Sequence, residues 1–407
     1  MKKPVSIVLV GIGGMGSVYL ESLLQHKGSG RFRLAGTVDP HPARCPQQEE
    51  LQALGIPVFK TLEEFYSRHQ ADLAIIASPI HFHSAQTCLA LAQGSRVLCE
   101  KPAAATVQEV RRMQAAERSA RSWVAVGFQW SFSSAIQKLK NDIRQGLFGR
   151  PRRLKCLYLW PRSEAYYRRN DWAGKVRDDD GRWILDSPVN NAMAHDLHNM
   201  LYVLGKETQT AAIPVRLEAE LYRAYDIENF DTAAVRCLTA AGAEILFFVS
   251  HAAGVDTGPV FSYEFERGEV RASGRDAAIT ARLAATSKNY GVPDAEPLRK
   301  MGEAIDSARG DVLPVCGLEA ALGQVLAVNG AQDSQPEIQN FPRTILSVRG
   351  KPGHREISVE GLAGILRECY EKNRLPSELN VSWSRRGRMV DLDAYVHYPG
   401  GVGIDGR

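Results

Sequence analysis

Residues 5–16 read V-S-I-V-L-V-G-I-G-G-M-G, and no other stretch limits the fold as strongly. Val5, Ile7, Val8, Leu9 and Val10 form a short apolar run, as expected for a strand buried on both faces. Gly11, Gly13 and Gly16 follow in the order G-x-G-x-x-G, with Ile12, Gly14 and Met15 completing the turn. Val18, Leu20, Leu23 and Leu24 then recur on one face of a helix. Each glycine has a physical task. Gly11 permits the turn off the strand, Gly13 lets a pyrophosphate approach the backbone, and Gly16 lets helix and strand pack closely. The helix start offers free N–H groups and a positive dipole end to phosphate. A second apolar strand, 32–38, ends in Asp39, placed to accept ribose hydroxyls. Strand, glycine turn, helix and acid together imply a dinucleotide site.

The first third of the chain continues this alternation. Helices are expected over 43–54, from Leu62 with Thr61 as cap, over 84–93, and after Thr106. Strands are expected at 58–59, 72–77, 96–99 and 123–126. That pattern gives a doubly wound parallel sheet. After a helix over 135–145, strands dominate: 154–160, 215–221, 233–238, 244–250 and 260–265. Their short turns suggest a large open mixed or antiparallel sheet. Helices are expected again over 297–308 and 359–372. At 407 residues the chain is long enough for two domains, read as 1–130 and 131–407.

Composition narrows the function classes. The net charge is +4 and the arginines occur in scattered pairs, which argues against nucleic-acid binding. No apolar run reaches membrane-spanning length, and Met1–Pro4 leads directly into the first strand, so a cytoplasmic location is expected. Seven cysteines, an odd number without C-x-x-C spacing, fit reduced thiols.

Two further stretches carry chemistry. In V-L-C-E-K-P a strand ends at Glu100-Lys101-Pro102, because Pro102 cannot donate to a ladder. This sets Lys101 at the C-terminal edge of the sheet, where ligands of such sheets bind. Read as one helix, residues 190–205 carry two stripes. Asn191, His195, His198 and Tyr202 recur on one, and Met193, Leu197, Leu201 and Leu204 nearly opposite. The apolar stripe would pack on a sheet and turn the polar one to a cleft. His195 and His198 have no well-placed carboxylate or cysteine beside them, so no metal is expected.

These pieces resemble the Gfo/Idh/MocA family of NAD(P)-dependent oxidoreductases, which includes glucose–fructose oxidoreductase and inositol dehydrogenase. The resemblance rests on V-G-I-G-G-M-G, Ser78-Pro79…His83, Gly94…Glu100-Lys101-Pro102 and Val126-Gly127-Phe128-Gln129. It extends through Arg162…Tyr166-Tyr167…Asn170-Asp171-Trp172. It implies an N-terminal Rossmann domain and a C-terminal α+β domain, with NAD as cofactor. The cofactor would be bound by the glycine turn, Asp39, Ser78, Pro79, His83, Glu100, Lys101 and Gln129. It implies hydride transfer between NAD and a secondary hydroxyl of a sugar, cyclitol or related polyol. His195 would serve as base and Lys101 as the charge beside the reacting oxygen. Asn191 stands where the family typically has Asp, and would orient His195. Arg162, Tyr166, Trp172 and His198 would bind substrate hydroxyls. A bare face of the second sheet would form the interface of a homodimer or homotetramer. Two alternatives stay open at this point: an enzyme that oxidises transiently and retains its NAD (an epimerase or redox-type glycosidase), and a non-catalytic NAD-binding sensor.

Overall fold

The computed structural model describes residues 3–284, 286–310 and 312–400. Of the glycine-containing tail, 401–407 therefore lie outside the described residues. The chain divides into two compact units. The first holds Met1–Ala104, Glu109–Phe132 and Glu296–Ala321, and the second Ala105–Gln108, Ser133–Ala295 and Leu322–Arg407.

The first unit is built on six strands: β1 (Val5–Val10), β2 (Phe32–Val38), β3 (Val58–Phe59), β4 (Leu73–Ile76), β5 (Arg96–Cys99) and β6 (Val124–Val126). All neighbouring pairs run parallel, in the order β3-β2-β1-β4-β5-β6. Every residue of β1 is buried, as its unbroken apolar run requires. The strand order reverses between β1 and β4, so the turn at Gly11 and the Ala77-Ser78 turn lie side by side at the C-terminal edge. The intervening helices are α1 (Met15–Gln25), α2 (Gln48–Ala53), α3 (Leu62–Arg68), α4 (Ile80–Ala92) and α5 (Val107–Ala120). Thr61 caps α3, its hydroxyl accepting from the Glu64 N–H at 3.1 Å.

Two boundaries differ from expectation. The helix expected over 43–54 is a 3₁₀ turn at Pro42–Arg44 and then α2, because Pro46 cannot continue a helix between them. Helix α4 starts four residues earlier than Ser84, since Pro79 at its N-cap has no N–H to leave unpaired.

The second unit begins with α7 (Ser134–Arg144), which follows the short α6 (Gln129–Phe132). Its sheet uses β7 (Pro151–Leu159), β8 (Pro214–Arg223), β9 (Thr232–Thr239), β10 (Glu244–Ser250), β11 (Thr257–Phe265), β12 (Gly268–Ser273), β13 (Ile279–Leu283), β14 (Ser287–Gly291) and β15 (Gln339–Asn340). The order is β14-β13-β12-β11-β7-β10-β9-β8-β15. A last short strand, β18 (Val390–Asp391), pairs with β8, and β16 (Leu346–Arg349) and β17 (Glu356–Val359) form a separate hairpin. The sheet is mixed, as expected: β7/β10 and β8/β15 are parallel and the other pairs antiparallel. The further helices of this unit are α8 (Glu164–Tyr167), α9 (Ala194–Tyr202), most of α11 (Leu318–Ser334) and α12 (Leu362–Lys372), while α10 (Arg299–Arg309) belongs to the first unit.

Helix α11 escaped the reading of the sequence because it is buried all round. Ala320, Ala321, Gln324, Val325, Ala327 and Asn329 are all inaccessible, so no amphipathic stripe marks it. Helix α12 starts later than 359, since Val359 ends β17 and Gly361 turns the chain in the left-handed region.

Sheet faces decide a further point. Leu157, Leu159, Leu246 and Phe248 of β7 and β10 pack with Leu362, Leu366 and Cys369 of α12. On the opposite face, Asn199 of α9 donates to the Tyr263 hydroxyl at 2.9 Å. Helices therefore pack on both faces at the sheet centre, where helices mainly on one side and a bare face opposite were expected. Each such buried leucine stabilises the fold by ~1.5–3 kcal/mol.

Candidate cofactor and substrate sites

In the first unit the glycine turn has the shape a pyrophosphate needs. Gly11 has φ +79°, and a Cβ there would lie 2.8 Å from the Ala77 carbonyl oxygen. A Cβ on Gly16 would lie 1.9 Å from the Gly11 oxygen, whereas above Gly13 nothing lies within 4 Å. Gly14 precedes the first residue of α1, Met15. The Asp39 carboxylate accepts the Ile12 N–H at 3.0 Å and the His41 N–H at 2.8 Å, which brings its charge onto the turn. These features fit the phosphates and ribose of NAD. Across the edge, buried His83 spans the ends of two strands, with Nδ1 2.8 Å from the Pro102 oxygen and Nε2 2.8 Å from the Ser78 oxygen. Pro79 is the N-cap of α4 and the Ser78 hydroxyl donates to Gln86. Gln129 opens α6.

The Glu100-Lys101 step stands on a buried ionic cluster. Glu100 Oε1 accepts from the Tyr19 hydroxyl and from the Lys300 ammonium, each at 2.5 Å. Lys300 also donates to the Gly127 carbonyl at 3.1 Å, and the Lys101 N–H donates to Glu100 Oε2 at 3.1 Å. The Lys300 side chain is 1% exposed and that of Glu100 9%. Burial alone would raise the Glu100 pKa, but Lys300 and Tyr19 outweigh it and leave the carboxyl below its usual range. A Cβ on Gly127 would lie 2.8 Å from Glu100 Oε1, so this residue must be small. Lys300 was missed in the sequence. Its signal was a lysine on the buried side of α10, one turn before Ala304 and next to Met301.

In the second unit, the helix expected over 190–205 is broken. Residues Pro188–Ala192 form a π-helical turn, Met193 leaves helical geometry (φ −119°, ψ 22°), and α9 starts at Ala194. Its polar stripe also divides. Asn191 and His195 are half-buried. His198 and Tyr202 are fully buried and stack at 5.5 Å, so His198 is a core residue and not a substrate contact. Burial, with Lys140 nearby, holds the His198 pKa well below the ordinary histidine value.

Asn191 Nδ2 donates to buried Asp186 at 2.9 Å. Asp186 in turn lies 3.7 Å from Arg169. The Arg169 guanidinium stacks 3.8 Å from the centre of the Tyr166 ring and 5.1 Å from that of Trp172. Arg162 stacks on Tyr166 (4.5 Å) and Trp160 (3.5 Å). Contacts thus link Asn191, Trp172, Tyr166 and Arg162 into one cluster. Trp160 and Arg162 follow β7, and His251 follows β10. Because those strands are parallel, their C-terminal ends adjoin, and the Arg162 N–H donates to the His251 carbonyl at 3.1 Å.

Beside His195, Asp196 is 4% exposed, and its Oδ1 has no hydrogen-bond partner among the described residues. Burial pushes its pKa up to about 8, with Asp294 adding to the rise. Asp196 is therefore protonated in the folded chain and ionised in the unfolded one between about pH 4 and 8. Stability falls as pH rises through that window. Asp196→Asn should remove this dependence and raise the unfolding temperature by about 2–4 °C or more at pH 8.5, with little change at pH 4. Equal effects at both pH values would contradict it. Among the described residues no group of three His, Cys, Asp or Glu could hold a metal, and no helix is long and apolar enough to cross a membrane.

Comparison with known proteins bears on the first unit directly. Residues 5–128 match GFO_IDH_MocA, described as an oxidoreductase family with an NAD-binding Rossmann fold. This segment belongs to the Gfo/Idh/MocA family. The rhizopine catabolism protein MocA of Rhizobium meliloti is 26% identical over 199 residues, 49% of this chain and 57% of that protein. An inositol 2-dehydrogenase of Acidothermus cellulolyticus is 27% identical over 239 residues, 55% and 69% of the two chains. The chain thus spans little more than half the length of MocA. The WlbA dehydrogenase of Bordetella pertussis, solved with NADH and UDP-GlcNAcA, superposes with a TM-score of 0.66. It is 23% identical and covers 81% of this chain and 95% of its own. The aldose-aldose oxidoreductase of Caulobacter crescentus gives 0.64 at 18% identity, covering 81% and 98%. Both show that the likeness of fold extends beyond residue 128.

Proposed function

We propose that the protein is an NAD-dependent dehydrogenase oxidising a secondary hydroxyl of a sugar, cyclitol or related polyol. Residues 1–130 would serve the cofactor and 131–407 the substrate. The observation that carries this reading is Lys101. It stands directly beyond β5 at the ligand edge of the parallel sheet, its N–H fixed on the buried Glu100 carboxylate. NAD bound at the glycine turn supplies a hydride acceptor. His195, half-buried at the start of α9, takes the hydroxyl proton, a task suited to imidazole near neutral pH. The Lys101 ammonium stabilises the negative charge that develops on the same oxygen. Asn191, held by Asp186, orients the imidazole. Tyr166, Arg162 and Trp172 bind the rest of the substrate. The names of the MocA and inositol 2-dehydrogenase relatives support a polyol. Incubating the protein with NAD and a panel of sugars and cyclitols should give NADH absorbance with at least one of them. Tight binding of several without any absorbance change would count against the reading.

Asp39 supports NAD over NADP, since a 2′-phosphate would meet its carboxylate. Titration should show NADH binding more tightly than NADPH, and Asp39→Ser should narrow the gap. Equal affinities in the unaltered protein would sink this. The seven cysteines, all free thiols, support a cytoplasmic location. The expected homodimer or homotetramer rested on a bare sheet face. Helix α12 packs on one face at β7 and β10, which leaves less of that sheet for such an interface. Light scattering at micromolar concentration should still give at least twice the monomer mass, and a monomer mass would end the proposal.

A further inference from the structure

We propose that the cluster at the ends of β7 and β10 binds an anionic substituent of the substrate, a carboxylate or phosphate, on the Arg162 guanidinium. This rests on the reading of the cluster as a sugar or polyol site and narrows its substrate to an acidic one.

Arg162 is half-buried, its guanidinium carbon 3.5 Å from the centre of the Trp160 ring and 4.5 Å from that of Tyr166. Its Nε is buried without a hydrogen-bond partner, and no carboxylate of the described residues lies within 4.0 Å of it. The neighbouring arginines differ. Arg275, 4.7 Å from the same Trp160 ring, holds both oxygens of Asp256 at 2.8 Å. Arg169 has the Tyr166 carbonyl at 2.6 Å and Asp186 at 3.7 Å. Asp186 is thus the acid beside Arg169, and the charge of Arg162 is left unmatched. A desolvated, unpaired cation is unfavourable, and an anion arriving beside it removes the penalty. Contact with two aromatic rings restrains the guanidinium, whose fork of N–H donors suits a planar, two-oxygen acceptor.

A second observation points the same way. His251 is 1% exposed and sits edge-on to Tyr166, ring centres 5.3 Å apart. Its Nδ1 is 2.8 Å from the Tyr167 hydroxyl, while Nε2 is buried without a partner. Burial, then Arg162 and Arg169, hold its pKa well below the ordinary value, so it is neutral. In the tautomer in which the Tyr167 hydroxyl donates to Nδ1, the ring proton lies on Nε2. Two adjoining strand ends then carry unfilled donors, and the added charge of Arg162 selects an anion over a hydroxyl.

Isothermal titration of the NAD-loaded protein tests this with D-glucuronate, D-glucose 6-phosphate and D-glucose. At least one acid should bind about 10- to 100-fold more tightly than glucose, as a charge-assisted bond to a buried group implies. The preference should shrink as salt rises. The tighter acid shows whether carboxylate or phosphate is the group. Arg162→Met should abolish the preference, and Arg162→Lys should keep part of it. Unfolding curves confirm that both variants are folded, and if Arg162→Met does not fold, Arg162→Lys and the salt dependence decide. Glucose binding as tightly as both acids, no binding of either acid, or an unchanged preference in Arg162→Met would each overturn the proposal. Loss of the dehydrogenase reading looks different: Arg162-dependent binding of an acid, with no sugar or acid yielding NADH.

Discussion

Lys300→Met should destabilise the protein by about 3–5 kcal/mol near pH 8, the cost of leaving a buried charge without its partner. The substitution keeps the aliphatic stem and removes the ammonium 2.5 Å from Glu100. In the unaltered protein the Glu100 pKa lies below its usual value. Its stabilising contribution is therefore present above the unfolded carboxyl pKa and is lost as pH falls through the lower folded value. In Lys300→Met burial dominates and the sign reverses. The carboxyl is then held protonated, and stability falls as pH rises from about 4 towards neutrality. Urea unfolding at pH 5 and pH 8 reads both effects, and the deficit should be larger at pH 8. Adding Glu100→Gln should recover most of it, because the residual neutral pair no longer strands a charge. A deficit under about 1 kcal/mol at pH 8 would show that Lys300 does not hold Glu100 in place.

His195→Ala and Lys101→Met should each lower kcat by about two to four powers of ten, the usual range for groups that move a proton in the rate-limiting step. NAD affinity should stay nearly unchanged, because the glycine turn and Asp39 bind the other end of the cofactor. Full turnover by His195→Ala on the true substrate would refute the assignment. Asn191→Asp should have a small effect. Asn191 donates to Asp186 at 2.9 Å, so an aspartate would face a second carboxylate and the two would share a proton. A charge shared between two carboxylates adds less beside His195 than a lone carboxylate would, so the acid limb of the pH–rate profile should move up only slightly.

The legible parts of this protein are those that depend on neighbours in sequence. The glycine turn, the buried β1, the Thr61 cap and the strand ending at Pro102 each follow from residue types a few positions apart. A turn or a cap is made by that spacing itself, so the glycine turn could be read directly. The broken helix shows where such reading stops. The i, i+4, i+7 spacing placed Asn191, His195, His198 and Tyr202 on one face, but packing around α9 buried the last two and left the first two half-open. Periodicity says which residues share a face, not how far along the helix that face stays uncovered.

Only the tertiary structure joined Lys300 to Glu100, 200 positions away. The chain completes most of the second unit before α10 returns to the first, and no local pattern records that return. The same holds for Arg162 and His251, which meet because β7 and β10 pair in parallel. Sequence by itself determined the class of fold and the glycine turn, and it singled out Lys101 and His195 as candidates. The tertiary structure decided which charges are matched and which are left unmatched among the described residues, because burial and ion pairing depend on distances between segments that the order of residues does not contain.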